Sequence, residues 1–430
     1  MKKSIRQTVS ILLALLMLLP CFECSLAEQA PLVIAYGWTR KEFSNYTQAT
    51  GQKIELAETS GDMMETISTA YAIKDDRVDI YLFTAYSGLY LIKEKNFYTA
   101  VEDSQILTSE YEKLYPAFQQ ALNDEGHIVG WLFSVQPLVQ DVDGVLGKFE
   151  LAVPETFEEF LDTCQYIYEN ELLGTKYKMT DSYAYTQRDF LNFYMKSYIA
   201  SNYMAGNVPD FANEKFLSTV QRIKDELPAQ AGEGTESDER TPFFYLSTVF
   251  EYISTSMLPL PRVLETQDNA IEVYATIAIV NPFSKNKETA IEFLEYCAQN
   301  PASEAAAYVY DSTRKEPIAD ETQLATYNKL QAELDGYLQL ETLTQEQQDR
   351  VAQLEMMIPE YKAKSYKISP EAIAHYQELA QNLLVNEGSP VSYDAQLRQY
   401  ASQYLSGLMT LEQFSEKCQS HIERIFKELQ

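Results

Sequence analysis

A chain of 430 residues exceeds what one ordinary hydrophobic core supports, so two lobes are the default. With 46% hydrophobic and 23% charged residues, the composition is that of a soluble globular protein and excludes a disordered one. The formal net charge of -29 repels nucleic acid and anionic lipid headgroups, and no nucleic-acid partner is expected.

Lys2, Lys3 and Arg6 precede an uninterrupted apolar run, Ile11 to Pro20, which is too short to span a bilayer. Ser25-Leu26-Ala27 then offers small residues at the positions a signal peptidase reads. Residues 1–27 are therefore expected to be a signal peptide, leaving Glu28 as the mature N-terminus of an exported, extracellular or cell-envelope protein. A lipid anchor at Cys21 or Cys24 is disfavoured, because Leu19-Pro20 and Phe22-Glu23 fit a small-residue lipobox poorly. Cys164, Cys297 and Cys418 remain after cleavage, each on an apolar helical face, and are expected as buried free thiols.

Leu32–Tyr36 reads as a buried first strand, followed by a loop at Gly37-Trp38-Thr39. A second strand alternates around Ile54 and Leu56. Ser60 can cap the next helix, whose Met64, Ile67 and Tyr71 share a face. Val78–Phe83 is a third strand, ending at Thr84–Gly88. Strands alternating with helices predict a parallel sheet covered on both faces, with ligands bound beyond the carboxyl ends of its strands, at the loops of Trp38 and Tyr86. His127–Val135 is strand-like and leads through Pro137 to Leu138–Val142. Thr156 and Glu159 have capping-box spacing ahead of the apolar face Phe157, Phe160, Leu161, Cys164 and Ile167. Phe190, Tyr194 and Tyr198 recur four apart as core residues, whereas Tyr183 and Tyr185 precede that helix and suit a surface role.

The apolar run Ile277–Val280 passes through Pro282 into an amphipathic helix with Ala290, Phe293, Leu294 and Cys297 on its buried face. Asn286 stands where a cap would be. After Pro317 the pattern becomes heptad-like: Leu324, Tyr327, Leu330, Leu334 and Tyr337, then Val351, Leu354, Ile358 and Tyr361. Thr344 and Gln347 make a capping box between the two runs. An antiparallel helical hairpin over 320–365 is expected. A last capping box, Thr410 with Gln413, opens a helix striped by Phe414, Cys418, Ile422 and Ile425.

Catalytic signatures are missing. His127, His375 and His421 have no His or Cys at metal-ligand spacing, and no G-x-S-x-G, P-loop or G-x-G-x-x-G is present. No carboxylate pair stands out as an acid and base. The expectation is no enzyme, no catalytic residue, no metal and no cofactor.

In order and spacing, these pieces resemble the family 1 extracellular solute-binding proteins of ABC importers. Pro154-Glu-Thr-Phe-Glu-Glu-Phe160 is similar to the family's P-x-T-W-x-E-F, Met257-Leu-Pro-Leu-Pro261 to its proline-rich segment, Ser284-Lys-Asn-Lys-Glu288 with Phe293-Leu294 to its return helix, and Gly407–Phe414 to its last-helix start. Phe133 stands where the family has a proline, and Val139-Gln140 where it has Tyr-Asn. The resemblance implies an α/β, two-lobed, periplasmic-binding-protein-like fold of type II, helix-rich, with the hairpin added. It implies lobe 1 from 28–136 and 274–316, and lobe 2 from 137–273 and 317–430 including the hairpin. It also implies a monomer that captures a small polar solute, a sugar or oligosaccharide, and delivers it to ABC permease subunits. The candidate ligand-binding residues are Trp38, Tyr86, Tyr183, Tyr185, Gln136 and Tyr245. An extracellular sensor or interaction protein on the same fold, and a secreted hydrolase, are the alternatives.

Overall fold

The run Leu32–Ala35 (β1) is apolar throughout, as suits a strand covered on both faces. The computed structural model describes residues 30–36, 40–57, 59, 62–141, 145–180, 187–229, 240–248, 253, 255–263, 271–301, 309–310, 317–340, 342–389, 391 and 393–428. Within them β1 joins Ile54–Ala57 (β2), Ile80–Thr84 (β3), Trp131–Asp141 (β4), Tyr177–Thr180 (β5), Thr241–Thr248 (β6), Met257–Pro259 (β7), Ile271–Val280 (β8) and Leu383–Val385 (β9). The order is β2-β1-β3-β8-β4-β6-β5, with β9 also beside β8 and β7 also beside β4. The predicted parallel pairing holds for β1 with β2 and β3. It fails at β8, which runs antiparallel to β3 and β4.

Two hydrophobic cores form, and the buried apolar side chains of β4 and β8, from Trp131 to Val139 and from Ile271 to Val280, pack in the first. The first core gathers β1, β3, most of β4 and β8, and helices bearing Phe43, Tyr46, Phe118, Phe293 and Leu294. The second gathers Phe157, Phe160, Phe190, Tyr194, Phe216, Phe244 and Phe414. From Leu138 onward, β4 leaves β8 and pairs with β6 and β7 instead. Pro137, opposite Val273, stands just before this change of partner. The backbone at Gly130 is equally constrained, since a Cβ there would lie 2.2 Å from the Ala278 carbonyl oxygen.

Buried polar groups fix how the chain enters and leaves these strands. Asp79 is only 2% exposed. Its carboxylate accepts from the Val33 N–H at 2.8 Å, from Ser284 Oγ at 2.6 Å and from Asn286 Nδ2 at 3.4 Å. Next to it Asn281 donates to the Asp75 and Val78 carbonyls at 2.8 and 2.6 Å and accepts from the Phe283 N–H at 3.0 Å. Asn286 is thus the residue before helix Lys287–Gln299, as expected, but its side chain does not cap that helix; it is turned toward Asp79. Near the far end of β4 the buried Gln140 Nε2 donates to the Pro154 and Pro259 carbonyls at 3.1 and 2.9 Å. Phe157 N–H donates to the Arg262 carbonyl, and Arg262 N–H to the Glu155 carbonyl, both at 2.8 Å.

Capping follows the sequence where it is local. The boxes at Thr156/Glu159 and Thr344/Gln347 form. Thr410 and Gln413 exchange the same pair of bonds, at 3.0 and 3.2 Å. Helix Met63–Ile73 is capped by Asp62, which accepts from the Met64 N–H; Ser60 lies outside the described residues. The cysteines Cys164, Cys297 and Cys418 are free and buried, and burial pushes each thiol's pKa up.

The hairpin pairs helix Glu321–Leu338 with helix Gln345–Lys364 over a seam of its own, Leu330, Leu334, Leu354 and Ile358, flanked by Tyr327, Tyr337, Val351 and Tyr361. Arg350 clasps Glu333 across it at 2.8 and 3.0 Å. Its root is a short antiparallel ladder between Ile318–Ala319 and Tyr366–Ile368. Beyond that root, Ile368, Ile373, Tyr376, Leu383 and Val385 pack in the first core, as do Ile271 and Val273. The cause is β9, which adds to β8 in parallel with Leu383 opposite Ile271 and draws helix Pro370–Leu379 with it. Only from Val391 and Leu397 onward does the chain join the second core.

Asp79→Ala strips the buried Val33 N–H and Ser284 hydroxyl of their acceptor. It should cost about 2–4 kcal/mol, read as a lower urea midpoint at unchanged slope. Replacing Glu321–Lys364 by a short linker should leave the cooperative unfolding of the remainder intact, because the seam is separate from both cores. Loss of the cooperative transition would show the hairpin to be part of the first core.

Candidate functional site

Along β8 the side chains alternate. Ile271, Val273 and Ala275 are buried, while Glu272, Tyr274 and Thr276 are half-buried. Along β4, Val135, Pro137 and Val139 are buried, while Ser134, Gln136 and Leu138 are half-buried. The register places Tyr274 opposite Gln136 and Thr276 opposite Ser134. Successive strand residues point to opposite faces and cross-strand partners to the same one. Glu272, Tyr274, Thr276, Ser134 and Gln136 therefore form one polar stripe, partly open to water, on two strands of the first core.

Two further elements close on this stripe. Tyr86, in the turn that ends β3, packs against Tyr274 with ring centroids 4.9 Å apart and planes inclined by 46°. At 46% exposure its face is still accessible to a solute. From the second core, helix Gln187–Met204 buries Phe190, Tyr194 and Tyr198 and presents Lys196 on its other side. Lys196 Nζ donates to the Tyr274 hydroxyl and lies 5.0 Å from the Tyr274 ring centroid and 6.0 Å from that of Tyr86. Both distances lie within the range of a cation–π contact. Crowding by protein atoms pulls the Lys196 pKa down, but Tyr274, Glu272 and Tyr86 outweigh it, so the pKa is raised and the ammonium persists. Lys196 is solvent-exposed even so, as a residue in an open cleft can be. Burial pushes the Tyr274 hydroxyl pKa up, against the pull of Lys196.

The chemistry available is that of recognition. Two aromatic faces, a carboxylate, an amide, two hydroxyl side chains and an ammonium suit a ligand with both apolar faces and hydroxyl groups. Among the described residues no group of three or more His, Cys, Asp or Glu could hold a metal ion. A partly open pocket at the edge of the first core, lined by Glu42, Trp131, Phe133, Cys297, Asn300 and Tyr310, measures about 30 Å³, room for a water but not for a sugar.

Of the residues singled out in the sequence, Tyr86 and Gln136 are brought together on this face. Tyr245 lies on β6 with its backbone opposite Asp141. Trp38, Tyr183 and Tyr185 lie outside the described residues. Trp131 is a core residue, 3% exposed, as its place in a buried strand implied. Sequence reasoning missed Lys196, Glu272 and Tyr274. The alternation in Ile271-Glu-Val-Tyr-Ala-Thr276 was the available signal for the last two, whereas Lys196 reads as an ordinary solvated lysine on an amphipathic helix.

Among the described residues no helix is long and apolar enough to cross a membrane. No family model and no curated protein matches the chain. Solved structures do. An ABC transporter solute-binding protein from Agrobacterium vitis S4 with bound D-mannitol aligns over 93% of this chain and 99% of its own, with a TM-score of 0.51 and 14% identity. Maltose-bound MalE3 of T. maritima aligns over 92% of this chain and 99% of its own, with a TM-score of 0.49 and 12% identity. The first of these likenesses establishes the fold: this chain has the α/β architecture of ABC solute-binding proteins, as its motifs implied.

The Lys196 contact joins the two cores through protein side chains alone. Lys196→Ala should therefore loosen the ligand-free molecule. A cation–π contact of about 1 kcal/mol corresponds to roughly a fivefold shift toward an open form. Small-angle scattering should show a larger radius of gyration for the variant; an unchanged radius would mean that the contact does not hold the cores together.

Proposed function

We propose that this protein is an exported receptor that captures a small polar solute on the β4–β8 face and delivers it to the permease of an ABC importer. The observation that carries this reading is the convergence of Tyr86 and Tyr274 from one core and Lys196 from the other on a polar strand face. Such a face, shared between cores, is where a solute can contact both at once and hold them together. The solute class we favour is a sugar, sugar alcohol or oligosaccharide. Tyrosine faces stack on the apolar faces of a sugar ring, and Gln136, Glu272, Ser134 and Thr276 meet its hydroxyls. The mannitol-bound protein of the same fold supports this class by analogy. Trp38 belongs to the proposal as a further stacking residue, since in the sequence it comes shortly after β1; Tyr183, Tyr185 and Tyr245 are lesser contacts.

In this mechanism the solute displaces Lys196 from the tyrosine pair, or shares it, and the cores close on the solute. The reading contains no bond-making step, so it describes a binding protein and not an enzyme. The monomeric state, the signal peptide 1–27 and the permease partner belong to the same proposal.

A thermal-shift screen across mono- and oligosaccharides, sugar alcohols, peptides and polyamines tests it, because a ligand held only by the folded state raises the melting temperature. At least one carbohydrate should raise it, bound intact and recovered unchanged. Tyr274→Ala should then weaken that binding by about 1–3 kcal/mol while the fold is kept. A peptide or polyamine as the only binder would refute the carbohydrate class, and release of a cleaved sugar would refute the binding-protein reading.

A further inference from the structure

The chain passes from β9 in the first core to helix Ala395–Leu405 in the second through a turn at Asn386–Gly388. This turn touches the polar face from two sides. On the strand side, Asn386 Nδ2 donates to Glu272 Oε1 at 2.5 Å, and the Asn386 N–H donates to the Val273 carbonyl at 3.3 Å. On the other side, the Tyr90 N–H donates to the Glu387 carbonyl at 3.1 Å, and Lys93 Nζ meets the Glu387 carboxylate at 2.7 Å. Tyr90 and Lys93 lie on helix Leu89–Glu94, which starts directly after the Tyr86 turn.

Gly388 closes the contact. Its N–H donates to Asn386 Oδ1 at 2.8 Å, and its φ is +80°, a conformation that strains any residue with a Cβ. A Cβ at this position would stand 2.5 Å from the Tyr86 carbonyl oxygen and 3.1 Å from the Gly88 nitrogen. Both atoms are backbone, so the turn carrying Tyr86 could not yield by a rotamer change alone. The close approach is possible only because residue 388 lacks a side chain.

We propose that Asn386–Gly388 is a positioning element for the solute face: it sets where Tyr86 stands over Tyr274 and holds Glu272 on the same framework. None of its residues needs to touch the solute. Because the turn is also a crossing between the cores, a displacement of the second core pulls on the backbone that carries Tyr86. The orientation of a stacking residue is thereby linked to the relative position of the cores. This inference rests on the reading of the β4–β8 face as the binding site.

The test is Gly388→Ala, made in the full chain, with two readouts. The first needs no solute: 3-fluorotyrosine placed at position 86 reports its surroundings by its fluorine resonance, which Gly388→Ala should move. The second is affinity for maltose or D-mannitol, whichever raises the wild-type melting temperature. Gly388→Ala should weaken it roughly tenfold, the scale on which a misplaced contact residue acts. In a Tyr86→Ala background the same change should cost almost nothing further, because the residue it positions is gone. An equal loss in both backgrounds would overturn the proposal, as would an unmoved resonance in a folded Gly388→Ala protein. If that variant does not fold, Asn386→Ala cuts the bonds to Glu272 and Gly388 without adding bulk. It should move the resonance in the same way, and a still resonance there would also overturn the proposal. If the wild type binds neither sugar, the solute reading loses its support while the fluorine readout still decides whether the turn positions Tyr86.

Discussion

The rest of the molecule depends on the antiparallel pairing of β4 and β8. Each strand is anchored in the first core over most of its length, and each leads into the second. Their register, with Tyr274 opposite Gln136 and Thr276 opposite Ser134, decides which side chains face the solvent between the cores. A slip of one residue would turn the polar stripe into the first core and expose Val273 and Ala275. The hydrophobic burial that holds the register is therefore also what displays the polar groups. Stability and recognition are two faces of the same ladder.

The buried polar clusters make that register unique. Apolar packing alone is tolerant of small shifts, whereas the Asp79 carboxylate is satisfied in one arrangement only: Val33 from β1, Ser284 and Asn286 from the segment after β8. Gln140 has the same role near the far end of β4, tying Pro154 to Pro259. The stretches that resemble family motifs, Pro154–Phe160, Met257–Pro261 and Ser284–Glu288, are the stretches that make these bonds. Their residue types follow from the need to satisfy backbone groups where the chain enters and leaves its long strands and helices.

Features whose causes are local were legible in the sequence. The three capping boxes, the buried faces of the long helices and the seam of the hairpin follow from spacings of three and four residues. Features whose causes are distant were not. Asn286 has the right residue type and position for a cap, but its amide goes to Asp79, 207 residues away. The hairpin could be read from its own pattern, but its root could not, because Ile368 and Leu383 carry no mark of which core they will join. In the site, Tyr86 was reachable from the rule that ligands bind at strand ends, and Glu272 and Tyr274 from alternation. Lys196 owes its place to the packing of one core against the other, which no local pattern encodes.

Pro137 has one more consequence. It sits opposite Val273, where β4 is about to exchange β8 for β6 and β7, and it has no N–H to give. Bending the strand at this residue breaks no bond donated by it. A ladder that is continuous on both sides thus contains a place where the two halves of the molecule can swivel without first melting a stretch of sheet. The free-energy cost of such a swivel falls on the side chains between the cores, Lys196, Tyr274 and Tyr86 among them, and not on the backbone of the ladder.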